Sequence, residues 1–407
     1  MTIRANGDGM TKLELGDGRP IHGFADEGFG AVLDTFAANF KERHDLGAAC
    51  AVYVQGRPVV DLWGGIADAR TGRMWDRDTA AVIFSCSKAI LAICAYVLVE
   101  EGRLDLDQPI ANYWPAFGQA GKMAITVRDA LSHRAGLAAL ETDLSREDVL
   151  AWDPVIRALE GQRPLHAPDL GHQYHAMSYG WLVGEVIRRV SGLPPGQYFR
   201  ATIGDRLNLR TWIGIPEAIR ASVARMEPPL PDEDSAAARE SARIAAQNPI
   251  VDRSLTMCGA FGFPAENGYV TFNDPAIQEA EIPGANGIST AESLARLFAA
   301  CVSGIDGPPL LRRATIEDGL QLRSAGQQLS GMPDDGSRWG TGFQLASPPT
   351  QPMLGPASFG HAGAGGQLGF GDLEYGVGFA YLSNQMGGYG DARARELSRA
   401  VKTILDT

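Results

Sequence analysis

A serine and a lysine stand three residues apart in the tetrapeptide Ser-Cys-Ser-Lys at positions 85–88. The apolar stretch 89–99 follows them directly and predicts a buried helix. Residues three apart lie on one helix face, so the Ser85 hydroxyl and the Lys88 amine are expected side by side. A serine becomes a nucleophile when a base takes its proton, and burial lowers the pKa of a lysine until it can be that base. The spacing therefore predicts a serine nucleophile with a lysine base.

A tyrosine at position 174 precedes a second segment with helical periodicity, residues 178–190. A tyrosine just before such a helix can present its hydroxyl into a cleft. Tyr174 could then carry a proton, provided that nearby cations lower its pKa from about 10. The alternative is that the ring only packs, which is the usual role of aromatic residues in such positions.

Residues 361–366 read His-Ala-Gly-Ala-Gly-Gly. Small residues on a strand let another backbone or a ligand approach closely. Such a strand beside the serine could offer a backbone N–H to a developing oxyanion. A glycine-rich hairpin turn would explain the segment equally well.

Histidines provide two rival interpretations. His133 could be a catalytic base, although a structural histidine that is hydrogen-bonded in a turn is the better interpretation. His166, His172 and His175 could bind a metal ion, but their spacing matches no familiar ligand pattern. We therefore expect no metal ion and no other cofactor.

A Gly-x-Ser-x-Gly elbow would indicate an α/β-hydrolase with a different nucleophile. No serine in the chain has glycine both two positions before and two positions after it. Ser289 comes closest, with Gly287 before it but Ala291 after it. The sequence therefore excludes that kind of esterase.

Elements at both ends of the chain must position these groups. We predict an amphipathic helix over 26–43 and a hairpin of two strands over 48–55 and 57–64, although Pro58 weakens the start of the second strand. Gly102 is expected to end the helix that follows the serine. Towards the C terminus, short runs bounded by glycine predict antiparallel strands before a closing helix. These strands cover 340–345, 358–362, 367–373 and 376–383, and the helix covers 391–405.

The middle of the chain, roughly 105–280, reads as helical and irregular. Helices are predicted near 127–132 and 178–190, and the long loop-like stretch 228–284 holds a further candidate over 236–247. Loops of that length in compact proteins are usually lids or disordered segments.

The expected fold class is α+β or α/β. One α/β domain, with a central antiparallel sheet flanked by helices, is built from residues 1–105 and 280–407. A mainly helical domain over 106–279 is inserted into it, and its residues 228–279 are expected to cover the site. Pockets often form at such junctions.

Composition narrows the class of protein. The 407 residues carry a net charge of −12 without a basic block, so neither nucleic acid nor an anionic membrane is an expected partner. The first thirty residues do not resemble a signal peptide, and the apolar stretch 81–99 is too short and too polar to span a membrane. Five cysteines without paired spacing fit reduced thiols in the cytoplasm, and Cys86 should point to a different helix face from Ser85.

Together, the three motifs resemble those of the serine β-lactamase and penicillin-binding superfamily, most closely its class C branch and the related family VIII carboxylesterases. Four further segments, in order along residues 30–400, carry the same resemblance. Residues 101–109 are similar to the turn after the nucleophile helix, 126–137 to Leu-Leu-x-His-x-Ser-Gly-Leu, 286–294 to Gly-Gly-x-x-Ser-Thr-Ala-x-Asp-Leu, and 339–343 to Tyr-Gly-x-Gly-Trp.

The resemblance implies a role for each motif. Ser85 would be the nucleophile, and Lys88 and Tyr174 together would be the base that activates it. Tyr174 would later help to activate the water that releases the acyl group. The backbone N–H groups of Ser85 and Ala364 would form the oxyanion hole.

Two departures from the family pattern lie on the substrate-binding side, which comprises Ala176, His361 and Gly363. His361 stands where many relatives have the lysine of Lys-Thr-Gly, and at neutral pH it would hold a substrate carboxylate poorly. Ala176 replaces the asparagine of Tyr-x-Asn and cannot donate to a substrate amide, and a missing hydrogen bond costs on the order of 1–3 kcal/mol. Neither departure touches the expected nucleophile, its base or the oxyanion hole.

We therefore expect a carboxylesterase that forms an acyl-enzyme on a small-molecule ester, with the resemblance implying short acyl chains. The alternatives with the same chemistry are a β-lactamase, a D-aminoacyl peptidase or amidase, and an acyltransferase. A non-catalytic scaffold with the penicillin-binding fold is the alternative from another class. The sequence leaves the oligomeric state open.

Overall fold

A computed structural model describes residues 3–5, 11–14, 19–230, 243–245, 247–262, 270–347, 351, 353–388 and 391–407. The helix predicted over 236–247 lies mostly outside these residues, and the part of it that is described, 243–245 and 247, is helical. Within the described residues, no helix is both long and apolar enough to cross a bilayer.

Fifteen strands are described along the chain. They are β1 (Ile3–Ala5), β2 (Thr11–Glu14), β3 (Pro20–Ala25), β4 (Gly47–Val54), β5 (Arg57–Asp68), β6 (Arg73–Met74), β7 (Ala81–Val82), β8 (Thr211–Trp212), β9 (Ile288–Ser289), β10 (Ser324–Ala325), β11 (Arg338–Trp339), β12 (Gln344–Leu345), β13 (Ser358–Ala362), β14 (Leu368–Asp372) and β15 (Val377–Ser383).

The α-helices surround these strands and fill the middle of the chain. The fully described ones are α1 (Gly30–Glu42), α2 (Cys86–Glu100), α3 (Val127–Leu131), α4 (Arg146–Leu150), α5 (Asp153–Gly161), α6 (Tyr179–Ser191), α7 (Pro195–Phe199), α8 (Pro249–Thr256), α9 (Pro275–Glu279), α10 (Ala291–Val302), α11 (Arg313–Gly319) and α12 (Arg393–Leu405).

A twelve-stranded antiparallel sheet forms the centre of the fold, in the order β1-β2-β3-β5-β4-β15-β14-β13-β12-β11-β10 with β6 paired to β5. The N-terminal and C-terminal strands meet where β4 pairs with β15, in a register that sets Ala51 opposite Ala380. A separate three-stranded sheet has the order β7-β9-β8. The two ends of the chain thus build one sheet, as predicted, while the domain boundaries at 105 and 280 stay a prediction.

Two layers of helices cover the sheet. Helices α1 and α12 pack together on one face, over a core that includes Phe36, Phe379 and Leu397. Helix α10 packs on β4, β14 and β15, and its residues belong to a second and larger core that also holds α2. Every residue from Cys86 to Leu98 is buried. The helix that carries the candidate lysine is therefore surrounded by protein, as its apolar sequence predicted.

Most predicted elements are confirmed to within a few residues. Gly102 donates its N–H to the Val99 carbonyl at the end of α2. Pro58 lies near the start of β5 beside an irregularity in the sheet. The register with β4 shifts between Val52, opposite Val60, and Tyr53, opposite Pro58, so the extra residue of this bulge is on β5 next to the proline. Strands β1 to β3, in the glycine-rich N terminus, had not been predicted.

The strand predicted over 340–345 is wrong in part. Residues 341–343 form a bend that returns the chain, so β11 and β12 pair with each other as two short strands. The Gly342 N–H donates to the Leu131 carbonyl instead of joining a sheet. The glycines in this segment therefore mark a turn and a contact with α3.

Candidate active site

Helix α2 brings Ser85 and Lys88 together in the expected way. Ser85 directly precedes the helix and Lys88 lies in its first turn, so Lys88 Nζ is 2.9 Å from Ser85 Oγ. Lys88 Nζ also donates to the Gly284 carbonyl oxygen at 2.7 Å, from a segment far away in the sequence. The amine is thus held between the hydroxyl and a backbone oxygen.

Burial changes the protonation of Lys88. The side chain is completely buried, and this desolvation lowers the pKa of Lys88 to about 7. The rings of Tyr174 and Tyr179 also lie near this amine, with their centroids 5.1 and 5.9 Å from Nζ. A large fraction of the amine is therefore neutral at pH 7, which a general base requires.

The Tyr174 hydroxyl lies 2.9 Å from Ser85 Oγ. The ring also packs against Trp339 in a stacked arrangement, with the centroids 5.0 Å apart. Tyr174 therefore has both of the features considered for it. Its ring is held by packing, and its hydroxyl faces the serine. Ser85 Oγ has the two predicted proton carriers at equal distances.

Two side chains from distant segments hold the backbone around Tyr174. Gln328 Oε1 accepts a hydrogen bond from the Tyr174 N–H at 2.8 Å. Ser254 Oγ, on α8, accepts from the Ala176 N–H at 3.1 Å and donates to the Tyr174 carbonyl at 3.3 Å. The position of the tyrosine therefore depends on α8, which belongs to the region 228–279.

His133 has a structural environment, as the preferred interpretation had it. Its Nδ1 accepts from the His175 N–H at 3.2 Å, and its ring lies 4.8 Å from the Tyr174 ring, centroid to centroid. Burial, together with the nearby His175 and Lys88, lowers the pKa of His133 well below its usual value. A neutral His133 packed behind the tyrosine supports the loop, and it is not among the described residues that line the cavity at Ser85.

The three histidines of the metal hypothesis do not form a site. His175 is buried, its Nδ1 donates to the Gln173 carbonyl, and its Nε2 accepts from the Leu137 N–H. His166 pairs through Nδ1 with the carbonyl of the next residue. In the described part of the chain, no three His, Cys, Asp or Glu side chains are grouped so that they could hold a metal ion.

Strand β13 packs beside α2 and leads into a short 3-10 turn, Ala364–Gly366. Cys86 points away from the serine, as expected, and its thiol donates to the His361 carbonyl at 3.0 Å, which links α2 to β13. Ser85 and Ala364 line the same cavity. Among the described residues, the backbone N–H groups of Ser85 and Ala364 have no acceptor, so both are available to a ligand.

His361 is buried and uncharged. Its Nδ1 lies 2.6 Å from the Ala362 carbonyl, to which it donates. Desolvation, together with the nearby Lys88, lowers the pKa of His361 to about 3. A side chain that stays neutral at pH 7 cannot attract a carboxylate by charge, which agrees with the weak carboxylate anchor expected from its residue type.

The cavity above Ser85 has a volume of about 420 Å³. Its apolar wall includes Phe84, Leu255 and Phe272, and Ala176 contributes no polar group. The described lining contains no arginine and no lysine, and its charged member is Asp335. A neutral ligand is therefore better matched to this cavity than an anionic one.

Sequence reasoning missed several residues that shape the site. Gly284 acts through a carbonyl oxygen, which every residue type has, so no sequence pattern could reveal it. Gln328 and Ser254 lie outside every motif. Trp339 could have been found, since it opens the segment 339–343 that already carried the resemblance.

Comparison with known proteins gives consistent results. The beta-lactamase family model matches residues 34–403. The esterase/beta-lactamase LipL of Mycobacterium tuberculosis is 35% identical over 376 residues, which cover 91% of this chain and 84% of LipL. A solved penicillin-binding protein homologue from Caulobacter crescentus has a TM-score of 0.81 and 34% identity, with 94% of this chain and 99% of that chain covered. A family VIII carboxylesterase has a TM-score of 0.81 and 31% identity, with the same coverage of 94% and 99%.

Proposed function

The chain belongs to the beta-lactamase family of serine hydrolases, and from this premise we propose that it is a carboxylesterase of the family VIII type. One observation carries the proposal. Ser85 Oγ lies 2.9 Å from both Lys88 Nζ and the Tyr174 hydroxyl, at a cavity whose described lining has no cationic side chain. The two short distances to Ser85 Oγ support acyl transfer to this serine. The lack of a cationic side chain in the described lining supports an uncharged substrate.

Acylation follows from these distances. The neutral Lys88 amine accepts the Ser85 proton while Oγ attacks the ester carbonyl carbon, and the C–O bond to the alcohol breaks. The negative charge that develops on the carbonyl oxygen is stabilised by the N–H groups of Ser85 and Ala364. Tyr174 gives its proton to the departing alkoxide and remains as a phenolate, whose charge is balanced by the protonated Lys88, with its Nζ 5.1 Å from the centre of the ring.

Deacylation reverses these roles. A water molecule replaces the alcohol beside the Tyr174 phenolate, the phenolate takes a proton from this water, and the hydroxide attacks the acyl carbon. The same two N–H groups stabilise the second tetrahedral intermediate. As this intermediate collapses, the Lys88 ammonium, 2.9 Å away, gives its proton to Ser85 Oγ, and the carboxylic acid is released.

A short apolar acyl group suits the cavity best. The wall formed by Phe84, Leu255 and Phe272 excludes water from an alkyl chain, and a volume of about 420 Å³ limits the length of the ester. A penicillin or cephalosporin carboxylate would meet the neutral His361 and the carboxylate of Asp335. The second candidate is therefore a weaker β-lactamase or amidase activity, favoured by the two activities in the name of LipL.

A substrate panel tests the proposal. We expect p-nitrophenyl acetate and butyrate to be hydrolysed with a kcat/KM at least about a hundredfold above that of a cephalosporin, since loss of two polar anchors at about 1.4 kcal/mol each accounts for that factor. A p-nitrophenyl decanoate in the same panel measures the length limit. A cephalosporin turned over as well as the short esters would reject the ester assignment in favour of the second candidate.

Activity should depend on pH through Lys88. Because the pKa of this lysine is lowered to about 7, the neutral amine that accepts the Ser85 proton is lost as the pH falls through 7. The kcat/KM for p-nitrophenyl acetate is therefore expected to rise between pH 6 and 8 and to fall about tenfold per unit below pH 6. A profile that is flat from pH 5.5 to 8 would mean that Lys88 is not the base.

His361→Lys should strengthen binding of carboxylate-bearing β-lactams, because it places an amine where many relatives carry one. We expect the Kd or KM for a cephalosporin to fall about three- to tenfold. His361→Gln is the matched control, since it changes the same side chain without adding charge. Equal or weaker cephalosporin binding by the lysine variant would show that the lack of a cation here does not limit β-lactam recognition.

A further inference from the structure

Arg393, the first residue of α12, is buried and fully hydrogen-bonded. Its Nη1 donates to Asp45 Oδ1 at 2.7 Å and to Ser383 Oγ at 3.1 Å. Its Nε donates to both oxygens of Asp391, at 3.1 and 3.0 Å. Asp45 is fully enclosed as well, and it also accepts from the Tyr381 hydroxyl. The guanidinium is therefore fixed in one orientation by two carboxylates.

The remaining nitrogen of this guanidinium reaches the turn that follows β13. Arg393 Nη2 donates to the Gly365 carbonyl at 2.9 Å and to the Gln385 carbonyl at 3.0 Å. The turn has little freedom on this side, because a Cβ at Gly366 would collide with the Asp391 carboxylate. Gly365 itself adopts a φ of 77°, which a glycine tolerates without strain.

The other end of the turn is tied to the same cluster. The Gly363 N–H donates to the Gln367 carbonyl at 2.7 Å. The Gln367 side chain donates to the Ser383 carbonyl at 2.6 Å and accepts from the Ser383 N–H at 2.9 Å. Ser383 in turn contacts Arg393, as described above. Ala364 is thus the residue between two anchors that converge on one buried guanidinium.

We propose that Arg393 is a positioning residue for the oxyanion hole. The hydrogen bond from Arg393 to the Gly365 carbonyl holds the turn so that the Ala364 N–H is directed at the acyl oxygen. The inference rests on the proposed function, because it assumes that Ala364 stabilises the oxyanion. A buried ion pair is weak evidence for stability alone. This ion pair differs from a purely structural one because Arg393 Nη2 also donates a hydrogen bond to the turn at Gly365, which lies close to the nucleophile.

Thionoesters provide the readout, because sulfur is larger than oxygen and a weaker acceptor, so an intact oxyanion hole discriminates strongly against it. We would compare Asp45→Asn with the double variant Asp45→Asn/Arg393→Gln, using p-nitrophenyl acetate and its thiono analogue. Both variants disturb the buried cluster, and only the double variant removes the donor to Gly365. Arg399→Gln, at an exposed position on the same helix, is the surface control.

In the double variant, kcat is expected to fall about tenfold while KM stays within twofold of that of the unmodified enzyme. This loss is smaller than the 10²–10³-fold fall in kcat that follows removal of a whole oxyanion-hole donor, because the Ala364 N–H is still present and is only less well positioned. The double variant's ratio of oxoester to thionoester kcat/KM should fall by a similar factor, whereas Asp45→Asn keeps the ratio of the unmodified enzyme even if its Tm drops. A folded double variant with an unchanged ratio would overturn the proposal.

A second variant covers the case in which the double variant does not fold. Asp391 also accepts a hydrogen bond from Arg393 Nη2, at 2.5 Å. Asp391→Asn keeps the shape of the side chain but weakens its hydrogen bonds to Nε and Nη2, and the oxoester to thionoester ratio of this variant should fall by about threefold. If the ratio is unchanged, Arg393 has a purely structural role. Failure of the proposed function would look different, since the unmodified protein would then hydrolyse neither ester.

Discussion

Ser85→Ala is expected to abolish hydrolysis of p-nitrophenyl esters, with kcat lowered by more than about 10⁴-fold. The variant removes the one oxygen that lies 2.9 Å from both Lys88 Nζ and the Tyr174 hydroxyl, so no acyl-enzyme can form. The fold should remain intact, since Ser85 lies before α2 and its side chain provides no cap hydrogen bond to that helix. Turnover is measured with p-nitrophenyl acetate, and Tm reports the fold.

The neighbouring serine is the matched control. Ser87 Oγ donates to the Phe84 carbonyl at 2.5 Å and accepts from the Gly287 N–H at 2.9 Å, so its hydroxyl has a structural role. Ser87→Ala should therefore lower Tm while a fluorophosphonate still labels the protein. Ser85→Ala should not be labelled. Ester turnover retained by a folded Ser85→Ala variant would reject the whole assignment, and a native protein that resists labelling would favour the non-catalytic scaffold.

The pair Ser85 and Lys88 could be predicted because its geometry is local. A three-residue spacing on an apolar helix sets the distance between hydroxyl and amine and also the burial of the amine. Tyr174 was harder to predict, because only the family resemblance related it to a serine that lies 89 residues away. The sequence alone favoured a packed aromatic ring as the explanation.

The contacts that adjust this chemistry could not be predicted. The second hydrogen bond of Lys88 goes to the Gly284 carbonyl, and Arg393, at the start of α12, donates to the Gly365 carbonyl. Every residue has a backbone carbonyl oxygen, so no sequence pattern identifies the one that accepts these hydrogen bonds. Both contacts also depend on tertiary packing between segments that are distant in sequence. His361 could be predicted in part. Its residue type indicated that it would bind a carboxylate weakly, and the structure adds the physical cause, since burial beside Lys88 lowers the pKa of this histidine.

Tyr174→Phe tests whether the lysine alone can carry the reaction, and kcat should fall about 10²–10⁴-fold. Lys88 still accepts the Ser85 proton in this variant, so acylation by an activated p-nitrophenyl ester, whose leaving group needs no proton, should be less impaired than deacylation. Deacylation depends on Tyr174 to take a proton from water. The acyl-enzyme should therefore accumulate, visible as a burst of p-nitrophenol close to one equivalent and as an acetyl mass on Ser85.

Tyr179→Phe is the control that separates proton transfer from packing. Tyr179 is also a buried tyrosine near Lys88, with its ring centroid 5.9 Å from Nζ, but its hydroxyl lies 3.5 Å from the Lys88 carbonyl and does not contact the serine. If packing around Lys88 were decisive, both variants would lose activity together. A Tyr174→Phe variant with near-normal kcat and no burst would remove Tyr174 from the mechanism, and Lys88, with its pKa lowered to about 7, would then have to activate both serine and water.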